Sequence, residues 1–109
     1  MFEVEKEAEI YCSASYMGLA ADPQATGIIN HLKQVFIDDG KIDLPLNEIS
    51  SFIVSLCKEN VLNQIDNRDD EKGVAWTIAL LAKAYIAAST TLCPYNNLFK
   101  ECFIKYYNE

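Results

Sequence analysis

Residues 73–92, Gly73-Val74-Ala75-Trp76-Thr77-Ile78-Ala79-Leu80-Leu81-Ala82-Lys83-Ala84-Tyr85-Ile86-Ala87-Ala88-Ser89-Thr90-Thr91-Leu92, decide how this chain folds. They contain no glycine or proline after Gly73, and they are rich in alanine and leucine, the strongest helix formers. Lys83 is the one charge in the stretch. A helix that is apolar almost all round belongs in the middle of a bundle, covered by other helices. A membrane span is the rival reading of twenty such residues. It is disfavoured because Ala, Thr and Ser take the place of Leu and Ile, and because a lysine in mid-span is costly in lipid. Ala75, Ala79 and Ala82, with Ala84 and Ala88 on another side, predict close approach of neighbouring helices.

Working outward from this segment, Asp69, Asp70 and Glu71 are suited to cap it, and the polar stretch Asn63 to Lys72 reads as the main loop. On the other side Pro94 stops it, and Asn96 or Asn97 is expected to cap a last helix whose stripe is Leu98, Phe99, Cys102, Phe103 and Tyr106. Towards the N-terminus, Pro45 and Asn47 open a helix carrying Ile49, Phe52, Ile53, Leu56 and Leu62 on one face. Before it, Asp22-Pro23 opens another, with Asp as the cap and Pro at the first helical position. Ile28, Ile29, Leu32, Val35 and Phe36 follow at three-and-four spacing. Asp38-Asp39-Gly40 ends that helix, with Gly40 free to take a left-handed cap. The first helix is predicted from about Glu3 to Ala20, with Ala8, Ile10, Tyr11, Cys12, Ala14 and Met17 leaning to one side. Phe2, Val4, Ala8 and Ile10 also alternate as in a strand, but the alanine-rich continuation favours helix. The expected fold is all-α: one domain over residues 1–109, a compact bundle of about five helices around one central apolar helix.

Composition narrows function. Half of the 109 residues are hydrophobic and 23% are charged, so there is ample apolar surface to offset the entropy of ordering the chain. Sixteen acids against nine bases give a net charge of -7. Seven acids and two bases lie before Lys41, so the excess is concentrated in the N-terminal part. Nucleic acid is excluded as a partner by charge, because phosphate binding draws on cationic side chains. A cationic protein would be attracted. The plainer reading of the same charge is solubility. Met1 to Glu9 is acidic where an export signal would need a basic start, so the expected compartment is the cytoplasm, or the periplasm if a signal peptide has been removed.

Catalytic and metal chemistry find little footing. His31, the single histidine, falls between Ile28 and Leu32 with no local partner to orient it as a base. The four cysteines, Cys12, Cys57, Cys93 and Cys102, form no Cys-x-x-Cys knuckle. They read as small core residues and, in a cytoplasm, as thiols. In an oxidising compartment four cysteines allow three connectivities, with Cys93 and Cys102 a locally reachable pair across Pro94. The run Asp66-Asn67-Arg68-Asp69-Asp70-Glu71 fails as an EF-hand loop, since Arg68 stands at the third position and Thr77 at the twelfth. Gly18, Gly27, Gly40 and Gly73 form no phosphate-cradling loop. No metal, cofactor or enzymatic activity is expected. The aromatic run Tyr95, Phe99, Phe103, Tyr106 and Tyr107 reads first as core. Its alternative is a helix that completes a homodimer or a partner interface, where Tyr and Phe are enriched.

What remains is a protein that works by binding another protein. A small, acidic, helical scaffold resembles the bacterial immunity proteins that neutralise toxic effectors. Cys12 within the alanine-containing first helix, and Cys102 within Leu98-Phe99-Lys100-Glu101-Cys102-Phe103, are similar to the helical immunity proteins of type VI secretion amidases. Those relatives carry export signals, and Met1 to Glu9 does not read as one. The resemblance implies a cationic toxin or effector domain as partner. Two acidic sets are the candidate contacts: Asp66, Asp69, Asp70 and Glu71 in the main loop, which is preferred, and Glu3, Glu5, Glu7 and Glu9 at the N-terminus. The rival class is a secretion or assembly chaperone, or a small subunit of a larger complex, which should expose an apolar groove.

Overall fold

The computed structural model describes residues 3–59, 71–89 and 94–108. These form five helices in chain order: α1 (Val4–Ala21), α2 (Pro23–Asp38), α3 (Leu46–Lys58), α4 (Glu71–Ala88) and α5 (Tyr95–Asn108). No strand occurs among the described residues. The architecture is an all-α bundle, and α4 is its axis, packing against α1, α2, α3 and α5.

The burial of α4 follows its composition. Val74, Ala75, Ile78, Ala79, Leu80, Leu81, Ala82, Ala84 and Tyr85 are all buried. The alanines let the neighbours come close, while the large side chains fill the spaces between them. Ile86, in the last turn, is only partly buried, where an apolar central helix predicts a core residue. Thr77 is buried too, and its hydroxyl is satisfied by donating to the Gly73 carbonyl at 2.8 Å. Lys83 is half-buried, its ammonium 5.0 Å from the centre of the Tyr95 ring. No helix among the described residues is long and apolar enough to cross a membrane.

Several local signals act as read. The Asp22 side chain accepts from the Gln24 amide at 2.9 Å, with Pro23 at the first helical position of α2. At the other end Gly40 takes φ +68°, the Lys41 amide donates to the Phe36 carbonyl and the Gly40 amide to that of Ile37. That is the Schellman arrangement, which needs a residue without a Cβ penalty at the left-handed position.

Other boundaries differ from the reading of the sequence. Helix α4 starts at Glu71, two residues early, so Glu71 sits in its first turn. Helix α5 starts at Tyr95, placing Asn96 and Asn97 inside the first turn rather than at the cap. The Asn96 side-chain oxygen instead accepts the Cys12 thiol at 3.3 Å. On α1, Ala8 and Cys12 face the core, whereas Ile10 and Ala14 point outward. Residues two apart on a helix lie about 200° apart, so Ile10 cannot share the side of Ala8 and Cys12. Leu62 and most of the main loop lie outside the described residues.

Two contacts fasten the connector between α2 and α3 to α4. The buried Tyr85 hydroxyl accepts from the Leu44 amide at 2.9 Å, and Ser89 donates to the Asp43 carboxylate at 2.9 Å. Asp43 has φ +59°, which costs a non-glycine residue about 1 kcal/mol, and these bonds hold it there. On the far side Gly18 is required by a close approach: a Cβ there would lie 2.9 Å from the Trp76 ring.

Leu80→Ala is expected to lower stability by about 2 to 5 kcal/mol, read from the urea midpoint at constant slope. A loss within about 0.5 kcal/mol, the scale of surface substitutions, would contradict a buried α4. Tyr85→Phe keeps the ring but leaves the Leu44 amide without its acceptor, and should cost about 1 to 2 kcal/mol in the same measurement.

Candidate protein-binding surface

The N-terminal acids form one cluster in the sequence, and the helix divides them. Positions alternate in the chain, so Glu3 and Glu7 fall on one side of α1 and Glu5 and Glu9 on the other. Lys6 and Ile10 run between the two rows. Glu3, Glu5 and Glu9 are exposed and Glu7 is half-exposed. Glu9 forms an ion pair with Lys100 of α5 at 3.7 Å; among the described residues Glu3, Glu5 and Glu7 make no ion pair. Glu3 occupies the N-cap position without a side-chain capping bond, and Glu5 and Glu7 stand in the first turn, where the helix dipole favours negative charge.

Of the main-loop set, Asp66, Asp69 and Asp70 lie outside the described residues. Glu71 is half-buried and accepts the Tyr11 hydroxyl at 3.3 Å. Tyr11 lies one turn beyond Glu7 on the same side of α1. The bond therefore brings one member of the loop set beside the row of Glu3 and Glu7. The sequence offers the two sets as alternatives, and the Tyr11–Glu71 bond, between residues 60 apart, is set by tertiary packing.

The inner side of α1 is held firmly. Ala8 and Cys12 are buried, the Cys12 thiol bonds Asn96, and Tyr11 packs its ring 5.9 Å from that of Phe103. Burial pushes the Cys12 thiol pKa up, against a smaller lowering by Lys100, so Cys12 stays protonated at neutral pH and is a poor nucleophile. No disulfide joins Cys12, Cys57 and Cys102; Cys93, which the spacing paired with Cys102, lies outside the described residues. His31 is exposed on α2. Among the described residues no group of three His, Cys, Asp or Glu side chains is placed to hold a metal ion.

The aromatic run is mainly core. Phe99 and Phe103 are buried, with Tyr95, Tyr106 and Tyr107 half-buried around them in a series of ring contacts at 4.9 to 6.0 Å. Lys58 covers the outer ring, its ammonium 5.6 Å from the centre of Tyr106. The sequence missed the exposure of Ile10, which is 53% and the largest among the exposed big hydrophobics. A helical-wheel reading anchored on Ala8 and Cys12 would have found it. Between the first turn of α1 and the end of α5 lies a shallow groove lined by Glu3, Val4, Glu5, Lys6, Ile104 and Asn108.

Compared with family models, curated proteins and solved structures, the chain shows no match to any.

The Tyr107 hydroxyl sets an alkaline limit. Its pKa is pushed up to about 12 from 10.0, first by burial and then by the negative charge of Glu71 and nearby groups. A raised folded pKa favours the folded state fully below pH 10, and that contribution is lost as pH rises from there to about 12. In an ultraviolet titration of the six tyrosines Tyr107 is expected to ionise late, and Tyr107→Phe should remove the late phase. An unchanged titration curve would refute the assignment.

Proposed function

We propose that this chain is a non-enzymatic protein-binding domain, an immunity protein that neutralises a cognate bacterial toxin by binding it directly, and that the toxin presents a cationic face. The observation that carries this reading is the placement of the acidic excess: Glu3, Glu5 and Glu9 exposed and Glu7 half-exposed at the start of α1, a helix anchored to both α4 and α5. Rigid acidic surfaces attract cationic partners over long range and need no reorganisation on contact. The net charge of -7 acts in the same direction. The low reactivity of Cys12 and the exposed, unsupported position of His31 agree with a role in binding rather than in covalent chemistry.

The chaperone or subunit reading needs a continuous apolar surface. The large exposed hydrophobics among the described residues are Ile10, Ile37 and Leu46, which lie on three different helices. That spread favours the electrostatic reading.

The test has two steps. Tagged protein recovered from its native cells should retain a partner whose contact domain is basic. The association rate is then measured against ionic strength for the parent, for a variant with Glu3, Glu5, Glu7 and Glu9 changed to Gln, and for one with Asp66, Asp69 and Asp70 changed to Asn and Glu71 to Gln. Neutralising a contributing set should slow association and flatten its salt dependence, with the isolated fold intact. Equal rates in all three, or an acidic partner, would discard the reading and leave the chaperone or subunit class ahead.

A further inference from the structure

We infer that the outward ridge of α1, centred on Ile10, is the docking surface itself, and that its occupant is a basic amphipathic segment of the partner protein. The segment would set an apolar side chain on Ile10, with lysines or arginines reaching the glutamates on either side. The inference rests on the proposed binding of a cationic protein and specifies where and how that protein would sit.

A lone exposed isoleucine is ordinary on a protein surface. Its setting distinguishes this one. Ile10 lies between Glu3 and Glu7 on one side and Glu5 and Glu9 on the other; the exposed Lys6 stands one turn before it on the same ridge and Lys100 pairs with Glu9, so the charge around it is net negative, four carboxylates against two ammoniums. Ser13 and Ala14, one turn further on, are exposed and small, which lets a partner backbone come close. The side chains beneath are fixed: Ala8 is 0% and Cys12 2% exposed, and the Cys12–Asn96 contact holds α1 to α5. An apolar centre with a charged rim is the common anatomy of a protein interface. Charge complementarity selects the occupant. A second copy of this chain would bring the two sets of glutamates together around the paired isoleucines, and like charges there oppose the contact. The exposed Ile37 has acidic neighbours as well, but α2 carries no carboxylate before Asp38, so none flank Ile37 along the helix.

The probe is a pair of synthetic helical peptides of about 16 residues, equal in lysine content, one with a leucine stripe and one with serine in place of leucine. Each is titrated into the isotopically labelled full chain at low salt and followed by amide chemical shifts. The leucine peptide is expected to perturb residues 3–14 of α1 and to bind about tenfold more tightly than the serine peptide. Ile10→Ser should abolish that difference while leaving the weak, salt-sensitive binding of both. Because Ile10 is exposed, the variant should keep the parent's helical spectrum and melting temperature. Binding of both peptides with equal strength, or shifts centred on another face, would overturn this surface and leave the cationic-partner reading standing. Binding of neither would overturn both. Concentration-dependent self-association abolished by Ile10→Ser would replace the basic partner with a second copy.

Discussion

A helix that touches four others leaves little of its surface to water, and the rest of this bundle is arranged around that constraint on α4. Helix axes pack roughly 8 to 10 Å apart, and the separation shrinks as the side chains between them do. Ala75, Ala79, Ala82 and Ala84 provide the close approaches, and Ile78, Leu80, Leu81 and Tyr85 fill what is left. Trp76 meets α1 only because position 18 is glycine. The one lysine of the central stretch is placed on the flank, where the Tyr95 ring receives its charge.

The same burial makes the ends of α4 do the polar bonding. At its start Glu71 takes the Tyr11 hydroxyl and ties the helix to α1. Near its end Tyr85 and Ser89 bind Leu44 and Asp43 and hold the connector in a conformation that its own residues would not choose. The α2–α3 connection is therefore fixed from outside itself, by a helix about forty positions later in the sequence.

Fold class was legible because the deciding signals are local. Alanine-rich composition, Asp22-Pro23, and Gly40 after two aspartates each state a backbone preference that packing has no reason to override. What stayed hidden depends on contacts distant in sequence. Asn96 is an excellent cap by type, yet Cys12, 84 residues away, claims its side chain. The outward direction of Ile10 was obscured by a pattern that suits strand and helix alike until one face is known to be buried. The candidate surface was legible as acidic residues but not as a surface, since sequence groups Glu3, Glu5, Glu7 and Glu9 while the helix separates them into rows.

That separation gives α1 its character. In a strand, acids at every second position would share one face and repel each other across it; in a helix they flank a ridge. Glu3, Glu5 and Glu7 have a structural reason to be there, because negative charge at the start of a helix gains about 0.3 to 1 kcal/mol from the dipole. Glu9 lies beyond the first turn, and its exposed pairing with Lys100 is of the kind that adds little to stability. Ile10 beside it covers nothing in the core, where a polar helix former would serve the fold better. Two adjacent residues on one anchored helix, one charged and one apolar, are thus left without a folding role. Surfaces that contact other proteins combine these two chemistries, and it is at positions the fold leaves free that such a combination can persist.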